Sequence, residues 1–224
     1  MNKKLLAFFI LFNFLFLLSS QAQTVTIGTQ VWMTENLNVD QFRNGDMIPE
    51  AKTNDEWKKA TEECTPAWCY LNSSIQNGSD SAKKYGKLYN WYAVNDPRGL
   101  APKGWHIPSY DEWTLLAEFL GGDEVAGYKM KSKSAWKGEN NGTNSSGFSA
   151  LPGGLRGCNG KFYSIYEPCY RVSYEEIGLR GYWWTSTERF SNAAWCCYLN
   201  NKNGKFDRFI YAKHVGLFVR CVRD

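Results

Sequence analysis

Histidine is nearly absent from this chain, which contains only His106 and His214 among its 224 residues. No zinc-type spacing joins either histidine to a cysteine, and no glycine-rich motif of the kind that cradles phosphate is present. Hydrolytic catalysis needs a nucleophile, a base and an orienting group, and the sequence offers little material for such a set. The chain is therefore predicted not to be an enzyme, with His106 in a structural role.

The chain also lacks a strong excess of charge of either sign. The formal net charge is +4, and the chain without Lys3 and Lys4 keeps 24 basic and 22 acidic residues. Such a balance gives no electrostatic reason to propose an anionic partner. The sequence therefore predicts no nucleic-acid partner.

Only one long apolar run occurs, from Leu5 to Leu18, after the basic residues Lys3 and Lys4. Small residues follow it up to Ala22, which is the pattern of a secretory signal peptide over residues 1–22. No later run is long enough to span a membrane. Residues 23–224 are predicted to form one exported domain without a transmembrane segment, either secreted, periplasmic or on the outer cell surface.

Aromatic residues are abundant, at 16% of the chain with ten tryptophans, and they are dense between Tyr85 and Trp113. Within this run Ser109 and Glu112 have the spacing of a capping box, which predicts a helix that ends at Gly121-Gly122. The composition is typical of a loop-rich domain with an aromatic core. The fold class predicted from the residues is α+β, with short antiparallel strands and one or two main helices.

Short strands are predicted where apolar residues alternate between turns. The predicted strands are Thr24–Trp32 with a tight turn at Gly28-Thr29, Gly181–Thr187, Trp195–Leu199 and Leu217–Val222. The last two are interpreted as a terminal hairpin joined by the polar Asn200–Gly204 region. A further short helix is predicted to begin after Thr53 or Asn54.

The chain has seven cysteines, and an exported protein uses cysteines mainly as disulfides. Alternation along a strand places Cys197 on the inward face with Trp195 and Leu199, and it sends Cys196 outward. The predicted bridges are Cys197–Cys221, Cys64–Cys69 and Cys158–Cys169. The odd count leaves at least one thiol unpaired or paired outside the chain.

No metal site or cofactor is predicted from the carboxylates. No loop has the dense alternating acidic pattern of a dedicated calcium site. A structural calcium ion bound by Asp96, or by Asp123 and Glu124, is kept as an alternative.

The outward positions of the terminal hairpin mix aromatic, amide and charged side chains, a composition found in recognition surfaces. The alternative is an ordinary solvated hairpin. The candidate ligand-binding residues are Asn192, Tyr198, Asn200, Lys202, Asp207, Arg208 and Tyr211.

Several segments, in order over essentially the whole chain after residue 22, resemble the Fibrobacter succinogenes major paralogous domain family. These segments are Val25–Val39, Pro66–Asn72, Gly86–Val94, Pro102–Ser109, Glu112-Trp113, Leu151–Gly154, Tyr182–Thr187 and Val219–Asp224. The resemblance implies a C-type-lectin-like fold related to formylglycine-generating enzymes. The helix after Ser109 and the terminal hairpin would be its framework.

With this fold, the expected function is that of an exported, non-enzymatic binding module for a glycan or a surface protein at the bacterial envelope. One alternative is a cysteine- and copper-dependent oxidase like the formylglycine-generating enzymes, although the adjacent Cys196-Cys197 does not match their copper-binding pair. Another is a structural or adhesin subunit whose odd cysteine forms an intermolecular bridge. Glu167-Pro-Cys169 only superficially resembles the Glu-Pro-Asn motif of calcium-dependent lectins, so sugar binding of that kind is not expected.

Overall fold

The computed structural model describes residues 23–71, 84–138, 142–157 and 177–224, and it confirms an α+β fold of helices and antiparallel strands. The helices are α1 (Asn54–Glu62), α2 (Trp91–Val94), α3 (Tyr110–Phe119) and α4 (Asp123–Met130). The strands are β1 (Thr24–Ile27), β2 (Gln30–Met33), β3 (Trp68–Tyr70), β4 (Lys87–Tyr89), β5 (Trp105–His106), β6 (Arg180–Phe190), β7 (Ala193–Asn200), β8 (Asp207–Ala212) and β9 (Val222–Arg223). Within the described ranges, no helix is both long enough and apolar enough to cross a membrane. The predicted signal peptide and the Cys158–Cys169 bridge lie outside these ranges.

Among the described residues, the first and last strands belong to one sheet, with the order β1-β2-β9-β5. The predicted opening strand with its tight turn is a hairpin in the structure, because β1 and β2 pair antiparallel around a turn in which Gly28 has a φ of 62°. Val222 of β9 pairs with Trp32 of β2 on one side and with His106 of β5 on the other. The sheet therefore ties both ends of the described chain to the segment that precedes α3.

Both predicted helix starts are confirmed: the capping box expected at Ser109 is present, and the first helix is capped by Thr53, which also forms a capping box. The Thr53 hydroxyl accepts from the Glu56 N–H at the start of α1, and the Ser109 hydroxyl accepts from the Glu112 N–H at the start of α3. In each case the glutamate side chain accepts from the backbone of the capping residue, so two otherwise unpaired N–H groups are satisfied. The chain leaves α3 through Gly121, whose φ is 101°.

Helix α4 was not predicted. Its N-cap is Gly122, with a φ of 93° and no side-chain cap, and the helix contains Gly127. Neither feature is a start signal in the sequence. The helix forms where Gly127 meets the turn after β7: a Cβ on Gly127 would lie 2.6 Å from the Lys205 carbonyl oxygen. Close packing against that turn supports the helix more than local propensity does.

The predicted terminal hairpin is wrong. Strand β7 is the centre of a three-stranded sheet in which it pairs with β6 and β8, and residues 217–222 do not pair with it. Leu217 bridges Tyr89, and Phe218 bridges Trp183. The two-residue connection at Ser191-Asn192 joins β7 to β6 as a tight hairpin, which costs less chain entropy to close than pairing with a more distant segment.

Apolar clusters cover both faces of the β6-β7-β8 sheet. Cys197 belongs to one cluster with Trp183, whereas Cys196 belongs to a second cluster with Trp184 and Cys221. Cys196 and Cys197 are both 0% exposed. The prediction that Cys196 points outward is therefore wrong, because alternation turns a side chain to solvent only when one face of the strand is open.

The five described cysteines are free thiols, so the predicted Cys64–Cys69 and Cys197–Cys221 bridges are not formed. Cys197 and Cys221 lie in different core clusters, which explains why they do not pair. Cys69 is buried in β3, while Cys64 is exposed after α1 and its sulfur accepts from the Tyr92 hydroxyl at 3.2 Å. Burial raises the pKa of the Cys196 and Cys221 thiols.

The buried side chain of Arg220 connects three parts of the chain. Its Nη1 donates to the Met33 carbonyl at 3.0 Å and to the Phe148 carbonyl at 2.7 Å. Its Nε and Nη2 donate to Asn36 Oδ1 at 3.2 and 3.0 Å. Burial lowers the pKa of Arg220 to about 9. This guanidinium therefore fixes the last segment against the opening hairpin at a desolvation cost.

Candidate functional site

The register of the β6-β7-β8 sheet decides which predicted binding residues share a surface. Residues paired directly across a sheet lie on the same face. Cys197 pairs with Arg208, whereas the neighbouring Tyr198 pairs with Tyr182 and Asp207. Arg208 therefore lies on the face that carries Cys197 and Trp195, here called the α3 face, and Tyr198 and Asp207 lie on the opposite face.

The opposite face carries a cluster of aromatic rings. Tyr182 stacks on Tyr198 with centroids 5.6 Å apart, and it meets Tyr211 edge to face at 5.8 Å. Phe209 lies 5.4 Å from Tyr211 and is 50% exposed. Tyr198 and Tyr211 are thus largely packed against other rings, and Phe209 is the accessible member of the cluster.

Asn200 and Lys202, two further predicted residues, belong to the turn after β7. The Asn200 side chain is buried, and its Oδ1 accepts from the Lys202 N–H at 2.8 Å and from the Asn203 N–H at 3.2 Å. Lys131 donates to the Asn200 carbonyl at 3.1 Å and to the Asn203 carbonyl at 2.9 Å. Asn200 therefore shapes this turn, while Lys202 is exposed on it.

Arg208 is mostly covered on the α3 face. Its Nη1 donates to Asp123 Oδ2 at 2.8 Å, and its side chain is only 10% exposed. The guanidinium lies 5.4 Å from the centroid of Tyr110 and 5.1 Å from that of Phe206. Arg208 therefore supports Tyr110 and connects β8 to the start of α4.

The accessible part of the α3 face is a group of four residues that we call the Trp195 platform: Arg189, Phe190, Trp195 and Tyr110. The rings of Trp195 and Tyr110 lie 4.8 Å apart at an interplanar angle of 55°. The Arg189 guanidinium lies 5.9 Å from Trp195 and 4.9 Å from Phe190. Phe190 is 53% exposed, Arg189 is exposed, and the other two rings are partly exposed.

The backbone beneath the platform is held by hydrogen bonds between β6, β7 and α3. The Tyr110 N–H donates to Thr187 Oγ1 at 2.9 Å, and the Thr185 hydroxyl donates to the Trp195 carbonyl at 3.0 Å. The Ser186 N–H donates to the Pro108 carbonyl at 2.9 Å. Because strands and a helix start carry its rings, the platform needs little ordering when a ligand binds.

Arg189 provides the accessible positive charge of the platform. Its neighbour Glu188 pairs with Lys213 at 3.0 Å, and no ion pair involving Arg189 is found among the described residues. The exposed Asp111 lies next to Tyr110 in the first turn of α3, where a carboxylate complements the helix dipole. The guanidinium of Arg189 is therefore available to an anionic group.

Sequence reasoning missed all four platform residues. Alternation predicts Trp195 in the core, and Tyr110 belongs to the aromatic run around the predicted helix start. The sequence nevertheless contained a signal for the platform, because Arg189-Phe190 and Trp195 flank the turn that contains Asn192, a predicted ligand-binding residue. Asn192 itself is exposed, and its carbonyl accepts from the Lys213 N–H at 3.0 Å.

The His106 ring lies between two carboxylates, with Nε2 2.7 Å from Glu112 Oε1 and Nδ1 2.8 Å from Asp224 Oδ1. Partial burial opposes protonation, but the two carboxylates outweigh it and raise the pKa of His106. The Ser109 hydroxyl donates to Glu112, at 2.9 Å, on the oxygen that His106 does not contact. The arrangement fits a structural clamp between β5, α3 and the last residue rather than a nucleophile with its base.

The carboxylates considered for calcium each contact a basic side chain. Asp123 pairs with Arg208 and Glu124 with Lys205, both at 2.8 Å. Asp96 accepts from Arg98 Nε at 2.8 Å, and this contact lowers the pKa of Asp96. Each of these carboxylates therefore has a cationic partner without an ion, and a bound calcium ion stays a prediction.

A groove of about 260 Å³ lies beside α1. Small residues such as Ala51, Ala60 and Ala67 line it, together with Glu56, whose carboxylate is engaged in the capping box. The volume is below the roughly 300 Å³ at which ligand pockets usually begin. The Trp195 platform is the better candidate for a binding site.

The comparison with family models gives one result that covers nearly the whole described chain. The model of the Fibrobacter succinogenes major domain matches residues 25–223. No curated protein and no solved structure matches the chain. The resemblance inferred from the sequence segments is thereby confirmed.

Proposed function

The chain belongs to the Fibrobacter succinogenes major domain family, and we propose that it is an exported, non-enzymatic binding module for a glycan or protein ligand at the cell envelope or outside the cell. The observation that carries this proposal is the Trp195 platform. The ring pair of Trp195 and Tyr110 and the exposed side chain of Arg189 are held there by a sheet and a helix start. The leader-like sequence of residues 1–22 supports export.

The chemistry of the platform suits recognition. Trp, Tyr and Arg are the residue types that dominate binding hot spots. Aromatic side chains offer a large flat contact at a small cost in conformational entropy, because only two torsion angles are fixed. Either the C–H face of a sugar ring or an apolar side chain of a protein can pack on such rings.

As part of the same proposal, the fold is a variant of the C-type-lectin-like fold. The pairing of β9 with β2 and β5, the position of α3 directly after β5, and the long connections between short strands support it. The framework differs from the expected one, since the β6-β7-β8 sheet takes the place of a terminal hairpin. Antiparallel strands with helices to one side are a common way to build such α+β domains.

The copper oxidase alternative has less support. Cys196 and Cys197 are adjacent in β7, lie on opposite faces of the sheet and are completely buried. Burial raises the pKa of both thiols, whereas a metal ligand has to be a thiolate. These two cysteines are therefore a poor copper-binding pair.

A second candidate function is a structural or adhesin subunit that forms a covalent assembly. The exposed thiol of Cys64 favours it, since an oxidising compartment would allow an intermolecular disulfide there. Non-reducing electrophoresis of residues 23–224 would show a dimer that disappears in Cys64→Ser. A monomer under oxidising conditions would argue against this function.

The proposed function is tested by screening residues 23–224 against glycans and envelope proteins, followed by variants of the two sheet faces. We expect Trp195→Ala and Tyr110→Ala to weaken binding at least about tenfold, as loss of a hot-spot residue does. The matched control is Phe209→Ala, which removes a half-exposed ring from the opposite face. If Phe209→Ala weakens binding and Trp195→Ala does not, the platform is not the binding site.

A further inference from the structure

We infer that the Trp195 platform binds a glycan whose sugar units carry carboxylates, an inference that rests on the proposed function and names its ligand class. The platform combines the ring pair of Trp195 and Tyr110 with the exposed guanidinium of Arg189 on one surface. Each offers a different contact, one apolar and flat and the other cationic.

Arg189 provides the positive charge that a carboxylate would meet. Its guanidinium lies close to Phe190 and Trp195, at 4.9 and 5.9 Å from the ring centroids. A guanidinium beside aromatic rings keeps several N–H donors, and its fork matches the two oxygens of a carboxylate. Arg189 can therefore bind a carboxylate while its guanidinium stays beside these two rings.

Two ion pairs lie near the platform. Lys213 neutralises Glu188, and Asp123 neutralises Arg208, so these four side chains add little net charge to the platform. Asp111 is exposed beside Tyr110, on the helix rather than on the strand that carries Arg189. The end of the platform at Arg189 is thus positive, which favours an anionic ligand over a neutral one.

A sugar acid fits the platform better than an acidic peptide does. The Trp195 ring has its centroid 5.9 Å from the Arg189 guanidinium, and together with the Tyr110 ring beside it presents an apolar surface. One hexuronate unit has a C–H face and a carboxylate on the same small ring, so it can use both contacts at once. An Asp or Glu side chain has the carboxylate without the flat apolar face, and it would leave the rings uncovered.

The test is an NMR titration of residues 23–224 labelled with ¹⁵N, in which the indole N–H signals are followed with trigalacturonate and with trimannuronate as probes. We expect the Trp195 signal, assigned by its loss in Trp195→Phe, to shift on titration with at least one of the two. Methyl esterification of that probe should weaken binding about tenfold or more, since it removes a charge-assisted contact. Added salt should also weaken binding, because the contact is at the surface.

Arg189→Gln should weaken binding of the charged probe by a similar factor and leave the affinity for the methyl ester nearly unchanged. The matched control is Arg223→Gln, which alters an exposed arginine that also lies over a tryptophan, 5.1 Å from Trp105. That variant should bind like the wild type. Thermal unfolding of each variant shows whether the fold is intact.

Each contrary result has a distinct meaning. Equal affinity for the charged probes and their methyl esters overturns the role of the carboxylate but keeps the platform as a glycan site. Binding of an acidic peptide at Trp195, with no response to either uronate at millimolar concentration, overturns the sugar ligand in favour of a peptide. If the wider screen finds a ligand that does not need Trp195, the proposed function fails together with this inference.

Discussion

The substitution Arg220→Met tests whether a buried guanidinium secures the two ends of the fold. Methionine has a similar length and fits an apolar site, so the change removes the hydrogen bonds without opening a large cavity. The carbonyls of Met33 and Phe148 lose the donor that Arg220 Nη1 provides. Asn36 Oδ1 keeps a partner, because Trp183 Nε1 also donates to it at 2.8 Å.

The expected magnitude follows from the groups left unpaired. Each buried carbonyl without a donor costs about 1–3 kcal/mol, so two carbonyls cost roughly 4 kcal/mol. The substitution also removes the desolvation cost of the buried guanidinium, which lowers the pKa of Arg220, and this gain offsets part of the loss. The free energy of unfolding should therefore fall by about 3 kcal/mol, which corresponds to a drop of about 6–12 °C in Tm for a domain of this size.

The assay is equilibrium unfolding in urea of residues 23–224, followed by tryptophan fluorescence and compared at constant m-value. Arg223→Met is the matched control, because Arg223 is exposed and its loss should cost less than about 0.5 kcal/mol. A loss below about 1 kcal/mol for Arg220→Met would refute the reasoning. It would mean that the two carbonyls find other donors or that the buried charge costs as much as its bonds contribute.

Three further predictions concern local features of the fold. Because the pKa of His106 is raised, the stabilisation by its clamp is complete below the ordinary pKa of 6.5 and is lost as pH rises through the folded-state pKa. Because the pKa of Glu112 is lowered, the stabilisation by its carboxylate is present above the ordinary pKa of 4.5 and is lost as pH falls through the folded-state pKa. The difference in unfolding free energy between wild type and His106→Gln should thus be largest near about pH 5.5 and smaller near about pH 9, and a difference that grows with pH would contradict the clamp. Ser109→Ala should destabilise by about 1 kcal/mol through loss of the α3 cap, measured by urea unfolding, and Ser145→Ala on an exposed loop should cost less. Gly127→Ala should destabilise in spite of the better helix propensity of alanine, since its Cβ would lie 2.6 Å from the Lys205 carbonyl oxygen, and a rise in Tm would show that the turn can move away.

The features that could be predicted from the sequence are those that depend on residues close together in the chain. The capping box at Ser109 depends on residues three positions apart, the cap at Thr53 depends on one residue before its helix, and the tight turn after β1 depends on Gly28. Family membership was likewise recognised from short segments, and the family match over residues 25–223 confirms it. The free energies of these features are local, so the chemistry of a few neighbouring side chains is enough to predict them.

The arrangement of the strands depended instead on contacts between residues far apart in the chain. Val222 lies between Trp32 and His106, and Leu217 bridges Tyr89 rather than a residue of β7. Alternation gives each strand two faces, but it does not say whether one face or both will be covered. Cys196 and Cys197 are both buried because apolar clusters cover both faces of their strand. Cys221 keeps a free thiol because it lies in a different cluster from Cys197.

The candidate site shows the same division. The sequence by itself determined the aromatic composition, the capped start of α3 at Tyr110 and the family of the chain. Only the tertiary structure decided that Tyr110 meets Trp195, 85 positions later, and that Arg208 and Tyr198 lie on opposite faces of one sheet. The physical reason is that a capped helix start is stabilised by its own neighbours, whereas a surface made from three elements exists only after long-range strand pairing has fixed the register.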